Sequence, residues 1–376
     1  MSSSPFEVTI HDDPRSARAL WNGLAEDSLA GAAQSAHWFD LWQSLVNRDC
    51  LVAALSAAGA PIFLLPLEIR QEGPIRVATF VGGPHANCNF PVLARSHSIT
   101  RSDLALLFRR LRKARPDIDL VSLTRQLGEL GGAANPLLQF SSRENPNVSL
   151  ALALDRDFDA VLARTNSKRK KKKHRYSAHR FQQGGGYRIV LAGTPAETDA
   201  MLETYFECKA ERLAKAGIRN TYEPAGIQDF FRQLFAGAAA AASPAYQLKA
   251  LEVDGKYRAV LGKSRAADQT FIDFVGITQD DLASTSPGEF LFFEDIQESC
   301  RSGPAVYSFG IGDEPYKRSW CDIELTTYDT AIGFSIKGRI YGVWLTMRNA
   351  LVRAIKRNDL VWTKVKKLRA RLRGTR

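Results

Sequence analysis

This sequence lacks paired cysteines, metal-binding motifs and long apolar runs. Its five cysteines stand far apart and form neither a disulfide framework nor a redox spacing, so we expect reduced thiols. Its six histidines form no HExxH-type cluster, and no metal site is expected. No stretch approaches the roughly 20 apolar residues of a membrane span. The beginning, "MSSSPFEVTIHDD", has no apolar run behind a basic head, so a secretory signal is not expected either. These features predict a metal-free cytoplasmic protein.

Acidic residues are nearly absent from two segments. Residues 337–376 contain 13 Lys and Arg with Asp359 as the single acid, and residues 168–180 contain eight Lys and Arg with no acid. The chain as a whole carries +11, so its remainder carries −9. An acidic body with two basic segments favours local contact with an anionic partner over general stickiness.

Hydrophobic periodicity predicts the same order of elements twice: strand, two helices, hairpin, strand, helix and two strands. The hairpins "ALSAAGAPIFLLPL" and "ALEVDGKYRAVLGK" resemble each other, with turns at Ala58-Gly59 and Asp254-Gly255. In this interpretation "NVSLALAL" closes the first half and "IELTTYDTAIGF" closes the second. The pattern predicts a duplicated α/β unit with a boundary near residues 144–149. The alternative is one large α+β domain whose element order repeats by chance.

The expected domains are therefore residues 1–147, residues 148–336 and a basic helical tail, 337–376. The tail contains two helical segments split at Asn358-Asp359, and the second has an apolar stripe from Val361 to Leu372. Because unpaired buried charges cost several kcal/mol, the tail is expected on a surface. That surface is either the acidic body of the protein itself or the anionic face of the inner membrane.

Four motifs carry a family resemblance: "WFDLWQSL", "NSKRKKKKHRYSAHRF", "SPGEFLFFEDI" and "FGIGDEPYKRSW". Over about residues 30–335 the sequence resembles the CelD/BcsL-like GNAT acetyltransferases of cellulose and exopolysaccharide biosynthesis, which are related to the Fem aminoacyltransferases. The resemblance implies tandem GNAT-like domains. The first would hold no cofactor of its own, and the second would bind acetyl-CoA or another acyl-CoA as co-substrate. One departure is the run of six basic residues, 168–173, where related sequences carry a milder R-x-x-[LI]-R-[RK] helix.

The motif "SPGEF" opens a predicted helix. Ser286 is a natural N-cap, and Pro287 suits the first turn, where its missing N–H is not needed. Free backbone N–H groups and the helix dipole make this end an anion site, and Gly288 lets a ligand approach the backbone. By resemblance, Ser286, Pro287, Gly288, Glu289 and Phe290 bind the pyrophosphate of acyl-CoA. The loop has one glycine, fewer than the common Q/R-x-x-G-x-G/A loop, and the alternative is an ordinary helix cap.

The motif "FGIGDEPYKRSW" places chemically active side chains directly after a strand. Asp313 or Glu314 could deprotonate an attacking amine or hydroxyl, and Tyr316 could protonate a leaving thiolate. Lys317 could bind an anionic acceptor or stabilise an oxyanion. The resemblance to Fem-like proteins favours Lys317 as the residue beside the acceptor. We expect it to be an exposed loop lysine, so that its replacement by alanine costs little stability. The alternative is a glycine turn with surface charges.

Acceptor-binding candidates lie in two further segments. Arg175 and Tyr176 follow the basic run, which is by default a solvated helix face and alternatively a phosphate site on the acceptor side. His85 and Asn87 lie in "GGPHANCNF", which either lines a cleft between the halves or is a loop without such a role. Nucleic acid is not expected as a partner, since the run has few interleaved aromatics.

The expected function is thus acyl-CoA-dependent N- or O-acyl transfer, in particular acetyl transfer, to a polysaccharide-related or other cell-envelope acceptor. The acceptor could be a small molecule or a glycan- or lipid-linked compound, and the enzyme would be cytoplasmic or peripheral to the inner membrane. Two alternatives stay open. One is Fem-like transfer from aminoacyl-tRNA, and the other is a non-catalytic scaffold of an exopolysaccharide machine.

Overall fold

The computed structural model describes residues 6–239 and 244–357 of the chain, and these residues form a mixed α/β fold. The strands are β1 (Glu7–His11), β2 (Cys50–Ala57), β3 (Ala60–Glu72), β4 (Ile75–Phe80), β5 (Val92–Leu93), β6 (Leu120–Leu127), β7 (Glu129–Leu130), β8 (Ala133–Ala134), β9 (Ser142–Glu144), β10 (Ser149–Ala153), β11 (Tyr187–Leu191), β12 (Tyr246–Val253), β13 (Lys256–Ala266), β14 (Gln269–Ile277), β15 (Val306–Ile311), β16 (Ile323–Leu325) and β17 (Thr327–Gly333). The helices are α1 (Pro14–Asn22), α2 (Ala36–Leu45), α3 (Arg101–Ala114), α4 (Phe158–Ala163), α5 (Ser167–Gln183), α6 (Pro195–Lys215), α7 (Ile227–Ala239), α8 (Pro287–Ser302), α9 (Pro315–Arg318) and α10 (Ile336–Arg357). The predicted α/β class and the predicted repeat of elements are confirmed.

The described residues divide into two compact units. Unit 1 takes the chain up to residue 148 and from residue 326 onward, and unit 2 is Ser149–Leu325. Unit 1 is built on a sheet of order β1-β2-β3-β4-β6-β17-β9, with β5 added to β3. Unit 2 is built on a sheet of order β11-β12-β13-β14-β15-β10-β16. In each sheet one neighbouring pair is parallel, β4 with β6 and β14 with β15, and the other neighbours are antiparallel.

The two sheets exchange the strands that were expected to close the two halves of the chain. β10 was expected to close the first half, but it pairs with β15 and β16 of unit 2. β17 was expected to close the second half, but it pairs with β6 and β9 of unit 1. The units therefore differ from the continuous segments 1–147 and 148–336. Sequence patterns indicate a strand, but its ladder partners are chosen by long-range packing.

Local signals account for several element boundaries. Both hairpins turn through two residues of positive φ, Ala58-Gly59 at 48° and 81° and Asp254-Gly255 at 51° and 69°. This geometry matches the right-handed twist of the flanking strands. The core of unit 2 lies between its sheet and the helices α4, α5 and α8, and it includes Phe181, Phe290 and Trp320.

Helix α10 forms the first part of the predicted basic tail. Tyr341 and Leu345 pack on Ile75 and Leu120 of the unit 1 sheet, so this part of the tail does dock on the protein's own body. Gly338 permits that approach, because a Cβ there would overlap the carbonyl oxygen of Asp119. The second predicted tail segment, from Asn358 to Leu372, lies outside the described residues.

Candidate active site

The parallel pair β14 and β15 separates along its length. Their register holds for three residue pairs, from Gln269–Val306 to Phe271–Ser308, in the part of the chain that the structure describes. β14 nevertheless continues to Ile277, and β15 continues to Ile311. A bulge where β15 pairs with β10, together with Gly310 at φ 69°, bends β15 at this point. The two strands therefore leave an opening in the sheet of unit 2.

A cavity of about 500 Å³ lies at this opening. Its walls come from α6, the end of β14, the first turn of α8, and α9. The lining residues are Cys208, Lys209, Glu211, Arg212, Lys215, Val275, Gly276, Ile277, Gln279, Ala283, Ser286, Pro287, Gly288, Glu289, Phe292 and Tyr316. The volume is within the range of pockets that bind small molecules and cofactors.

The first turn of α8 presents unused backbone donors to this cavity. Ser286 occupies the N-cap position, but its φ of 61° is left-handed and its side chain makes no capping hydrogen bond, contrary to the expected cap. Pro287 is the first helical residue, as predicted. The N–H of Phe290 donates to Ser286 O at 3.1 Å, so the N–H groups of Gly288 and Glu289 precede the first intrahelical bond. This end of α8 suits an anion.

Two of the predicted cofactor residues have packing roles. Gly288 faces β14, where a Cβ would overlap Ile277 Cδ1, so the helix needs glycine there to approach the strand. Phe290 is 2% exposed, and its ring lies parallel to His174 at 4.5 Å and edge-on to Phe181 at 5.2 Å. The structure thus places the Phe290 side chain in the core. At this end of α8 the backbone of the preceding residues faces the cavity instead.

Helix α6 supplies cations that the sequence interpretation missed. Lys209, Arg212 and Lys215 are spaced by three residues, so they share one face, and all three line the cavity. Lys215 also donates to Glu211 at 2.5 Å. Burial, and then the charge of Arg212, lower the pKa of Lys209 to about 8. The K-x-x-R-x-x-K spacing was a visible signal, and this cationic wall faces the same space as the first turn of α8.

The predicted catalytic loop contributes Tyr316 to the cavity. Its ring stacks on Phe292 with centroids 5.8 Å apart. Burial, and then the charge of Glu314, raise the pKa of the Tyr316 phenol well above its ordinary value. The phenol therefore stays protonated at neutral pH and can donate a proton. Burial likewise raises the pKa of the Cys208 thiol to about 11, so this cavity cysteine is not a thiolate nucleophile.

Lys317 is buried, and the expectation of an exposed loop lysine is wrong. It lies on the single turn of α9 and is 5% exposed. Its ammonium donates to Ile311 O at 2.8 Å and lies 3.1 Å from Glu314 Oε2. It ties α9 to the end of β15, so replacement by alanine should cost stability, contrary to our expectation. Asp313 is exposed and pairs with Arg318.

The basic run on α5 has an inner and an outer face. Lys170 is 8% exposed, lies 3.5 Å from the centre of the Trp320 ring and donates to Ser319 Oγ at 3.2 Å. The run is therefore only partly the solvated face that we expected. The predicted acceptor residues Arg175 and Tyr176 are exposed on the outer face and do not line the cavity.

The other acceptor candidates, His85 and Asn87, lie in unit 1, in the segment between β4 and β5. This segment begins at Gly82, whose N–H donates to Glu68 at 3.0 Å, and it ends at Asn89, which bridges to β6. The His85 ring lies 6.0 Å from that of Trp42. The segment packs against the sheet of its own unit.

The described residues contain no group of three or more His, Cys, Asp or Glu side chains placed to hold a metal ion. No described helix is long and apolar enough to cross a membrane.

Comparison with known families identifies the part of the chain that holds the cavity. Residues 168–318 match a family described as acetyltransferase (GNAT) domain. This segment runs from α5 through α9 and includes each element that lines the cavity. No curated protein matches the sequence.

Solved structures share the fold of almost the whole chain. FemX superposes with a TM-score of 0.59 at 10% identity, over 90% of this chain and 99% of that one. A conserved protein of unknown function from Bacteroides thetaiotaomicron gives 0.54 at 15% identity, over 87% and 100%. L-PGS from Bacillus licheniformis gives 0.50 at 13% identity, over 89% and 96%. At these identities the likeness concerns the fold. The predicted tandem GNAT-like α/β fold is confirmed.

Proposed function

We propose that this protein is an acyl-CoA-dependent N- or O-acyltransferase whose donor site is the cavity of unit 2. One observation carries the proposal. The opening between β14 and β15, the unused N–H groups of Gly288 and Glu289, and the cations of α6 all face one cavity. A thioester carrier with a pyrophosphate needs these features, namely a slot for its acyl arm and donors for its phosphates.

The proposed reaction is direct transfer. An amine or hydroxyl of the acceptor attacks the thioester carbonyl carbon, the C–S bond breaks, and the thiolate leaves. Tyr316, which is protonated at neutral pH and lines the cavity, gives its proton to the thiolate. The proton of the attacking group goes to a carboxylate, either Glu289 in the cavity wall or Glu314 beside α9. Backbone N–H groups of the separated strands stabilise the oxyanion.

The proposed acceptor is a polysaccharide-related or other cell-envelope molecule. Its support is the sequence resemblance to the CelD/BcsL-like acetyltransferases, through the four motifs described above. The roles of His85, Asn87, Arg175, Tyr176 and Lys317 on the acceptor side stay predictions.

A second candidate is transfer from aminoacyl-tRNA. One observation favours it: α5 carries exposed cations, Lys168, Arg169 and Lys172, in the same unit as the cavity. A polyanionic donor would use such a face. Acetyl-CoA does not need this cationic face. Mutation of these three residues should therefore weaken binding of aminoacyl-tRNA and leave binding of acetyl-CoA unchanged.

Calorimetric titration tests the first proposal. We expect acetyl-CoA or another acyl-CoA to bind and to stabilise the protein by about 2.7 kcal/mol at a hundredfold excess over Kd. Arg212→Gln should weaken binding by roughly tenfold or more, since a hydrogen bond to a charged group contributes about 1.5–3 kcal/mol. Lys256→Gln, at the exposed hairpin turn, is the matched control and should leave affinity unchanged.

Gly288→Val should also abolish binding. The double variant Gly288→Val/Ile277→Ala shows whether the loss comes from packing against Ile277 or from obstruction of the ligand by the valine side chain. If packing against Ile277 is the only problem, the double variant binds normally. If no acyl-CoA gives heat or a melting shift while aminoacyl-tRNA does, the second candidate replaces the first. If neither acyl-CoA nor aminoacyl-tRNA binds, the result would favour the non-catalytic scaffold.

A further inference from the structure

Helix α10 has one face packed on the unit 1 sheet and one face open to solvent. Its packed face contains Gly338, Tyr341 and Leu345. Its open face is apolar, and its large side chains are highly exposed. Ile336, Ile340, Val343, Met347 and Leu351 are 78%, 67%, 61%, 67% and 62% exposed. Their spacing of three or four residues places them in one stripe along the helix.

Such a stripe is unusual for a protein surface. Scattered exposed apolar residues are normal, but contiguous apolar patches mark contact with a protein or a membrane. Elsewhere in the described residues the exposed large hydrophobics are Tyr176 on α5, Tyr187 and Leu191 at the two ends of β11, and Ile218 after α6, at most two to an element. The stripe on α10 is therefore an apolar surface that none of the described residues covers.

The charges on α10 itself are all positive. The sequence 336–357 contains six Lys and Arg and no acid. At 100° per residue, exposed Arg348 lies along one side of the stripe and exposed Arg339 lies along the other. Lys337 instead contacts the body of unit 1, where its ammonium lies 3.1 Å from Asp119. Trp344 lies at the same edge as Arg348, whose guanidinium is 5.5 Å from its ring. An apolar stripe with cationic borders and an indole at the edge is typical of helices that lie in a lipid interface.

The positive charges of α10 discriminate between the partners that could bind over the stripe. Residues 358–376 of the same chain carry seven Lys and Arg and one acid, so they would repel the borders of the stripe. A second copy of α10 would repel it for the same reason. Anionic phospholipid headgroups complement these charges, while the acyl-chain boundary accepts the apolar side chains.

We propose that the open face of α10 docks on an anionic phospholipid bilayer, with the apolar stripe below the headgroups and the two border cations, Arg339 and Arg348, at the phosphates. The docking surface is a property of unit 1 and is independent of the acyl transfer proposed for unit 2.

Flotation of the full chain with lipid vesicles tests this proposal. We expect co-flotation with vesicles of phosphatidylcholine and phosphatidylglycerol in equal parts, and not with pure phosphatidylcholine. Binding should weaken as salt rises above about 0.1 M, where the screening length falls below roughly 10 Å. Ile340→Ser/Met347→Ser should weaken binding roughly tenfold or more, because two apolar side chains that would move from water into the bilayer are replaced by polar ones. Arg339→Gln/Arg348→Gln should weaken binding to the anionic vesicles as well.

The matched control is Leu191→Ser/Ile218→Ser, which removes two similarly exposed apolar side chains from unit 2. This control should bind vesicles like the parent protein. Tryptophan fluorescence adds a second measurement: a blue shift on vesicle binding that disappears in Trp344→Phe places the open face of α10 in the bilayer.

Three results would overturn the proposal. The first is that the full chain does not bind anionic vesicles at low salt. The second is that Ile340→Ser/Met347→Ser binds them as well as the parent protein, which would assign the binding to other residues. The third is a dimer that does not bind vesicles and that Ile340→Ser/Met347→Ser dissociates, which would make the stripe an interface between copies of this chain.

Discussion

The two units open their parallel strand pair at the same place but use the opening differently. In unit 1 the pair β4 and β6 is in register only at Val77–Leu120 and Ala78–Val121. The segment from Gly82 to Asn89 then runs beside β6, and Arg125 Nη1 donates to the carbonyls of Pro84 and Ala86 at 3.2 and 3.1 Å. In unit 2 the corresponding place is a cavity of about 500 Å³. The shared fold supplies the opening, and the connecting segment decides whether a ligand can enter it.

The helices that follow the two openings also differ in whether their first turn leaves backbone N–H groups for a ligand. α3 of unit 1 begins with a complete capping box, in which Asp103 N–H donates to Thr100 Oγ1 and Thr100 N–H donates to Asp103. α8 of unit 2 has the same kind of sequence, with Ser286 and Glu289, but makes no side-chain cap. Unit 1 thus satisfies donors at this helix end internally, with the Thr100 hydroxyl and the Asp103 carboxylate, whereas unit 2 leaves donors for a ligand.

The largest expected effect concerns a buried acid on α8. Asp295 is 0% exposed and accepts from Lys249 at 2.6 Å, from Lys263 at 2.7 Å and from the Tyr307 hydroxyl at 2.7 Å. Burial opposes its ionisation, but the two ammonium groups outweigh burial and lower the pKa of Asp295. Asp295→Asn should cost about 3–5 kcal/mol, because it leaves the buried Lys263 ammonium without its carboxylate and leaves Lys249 with Glu298 alone. Denaturant unfolding of the full chain measures the change.

Unit 1 provides the comparison for this variant. Glu68 is also 0% exposed, but its single cation is Arg70, whose side chain is 32% exposed. Glu68→Gln should therefore cost less than Asp295→Asn. Since the pKa of Asp295 is lowered, its contribution is present above the unfolded pKa and is lost as pH falls through the folded one. Equal losses for both variants would contradict this account.

The second prediction concerns the pH dependence of donor binding in unit 2. The pKa of Lys209 is lowered to about 8, so its ammonium is lost as pH rises through that value. Affinity for acyl-CoA should then fall with rising pH, by at most about tenfold per pH unit. Calorimetric titration across this range measures the fall.

Lys209→Gln should weaken binding and flatten this profile, and Lys256→Gln should do neither. Lys170 also has a pKa lowered to about 8 by burial, but it does not line the cavity. A profile that keeps its shape in Lys209→Gln would assign the titration to another group.

The third prediction removes the cap of unit 1. Thr100→Ala should destabilise the protein by about 1 kcal/mol, since it deletes the hydrogen bond to Asp103 N–H. Affinity for acyl-CoA should not change, because the donor site is proposed for unit 2. Thermal unfolding and titration of one sample measure both quantities, and a loss of affinity would contradict the division of roles.

The smallest expected effect concerns Ser286. Its φ of 61° costs a residue with a Cβ about 1–2 kcal/mol, so Ser286→Gly should stabilise the protein by at most about 1 kcal/mol. Affinity for acyl-CoA should stay the same, because at this end of α8 the proposed contacts are backbone N–H groups and not the Ser286 hydroxyl. Asp254→Gly, at another left-handed position in unit 2, is the control. A weaker affinity in Ser286→Gly alone would show that the hydroxyl contacts the ligand.

Local chemistry made much of the fold predictable. The Asp254-Gly255 turn, the apolar alternation around it and Pro287 at the first turn of α8 each act within a few residues, and each is present as predicted. The candidate site was predictable in part. Tyr316 lines the cavity as its loop suggested, but the α6 cations were missed because their face is defined only by what packs opposite.

The sequence by itself determined the order of the elements, the two hairpins and the place of the loop after β15, because adjacent residues fix these. Tertiary structure decided which sheet takes β10 and β17, and it decided that Lys317 is buried. It also gave two similar motifs opposite outcomes, since Thr100 is extended and caps its helix, whereas Ser286 is left-handed and does not. The reason is physical: the conformation of Ser286 and the burial of Lys317 depend on neighbours that are distant in the chain.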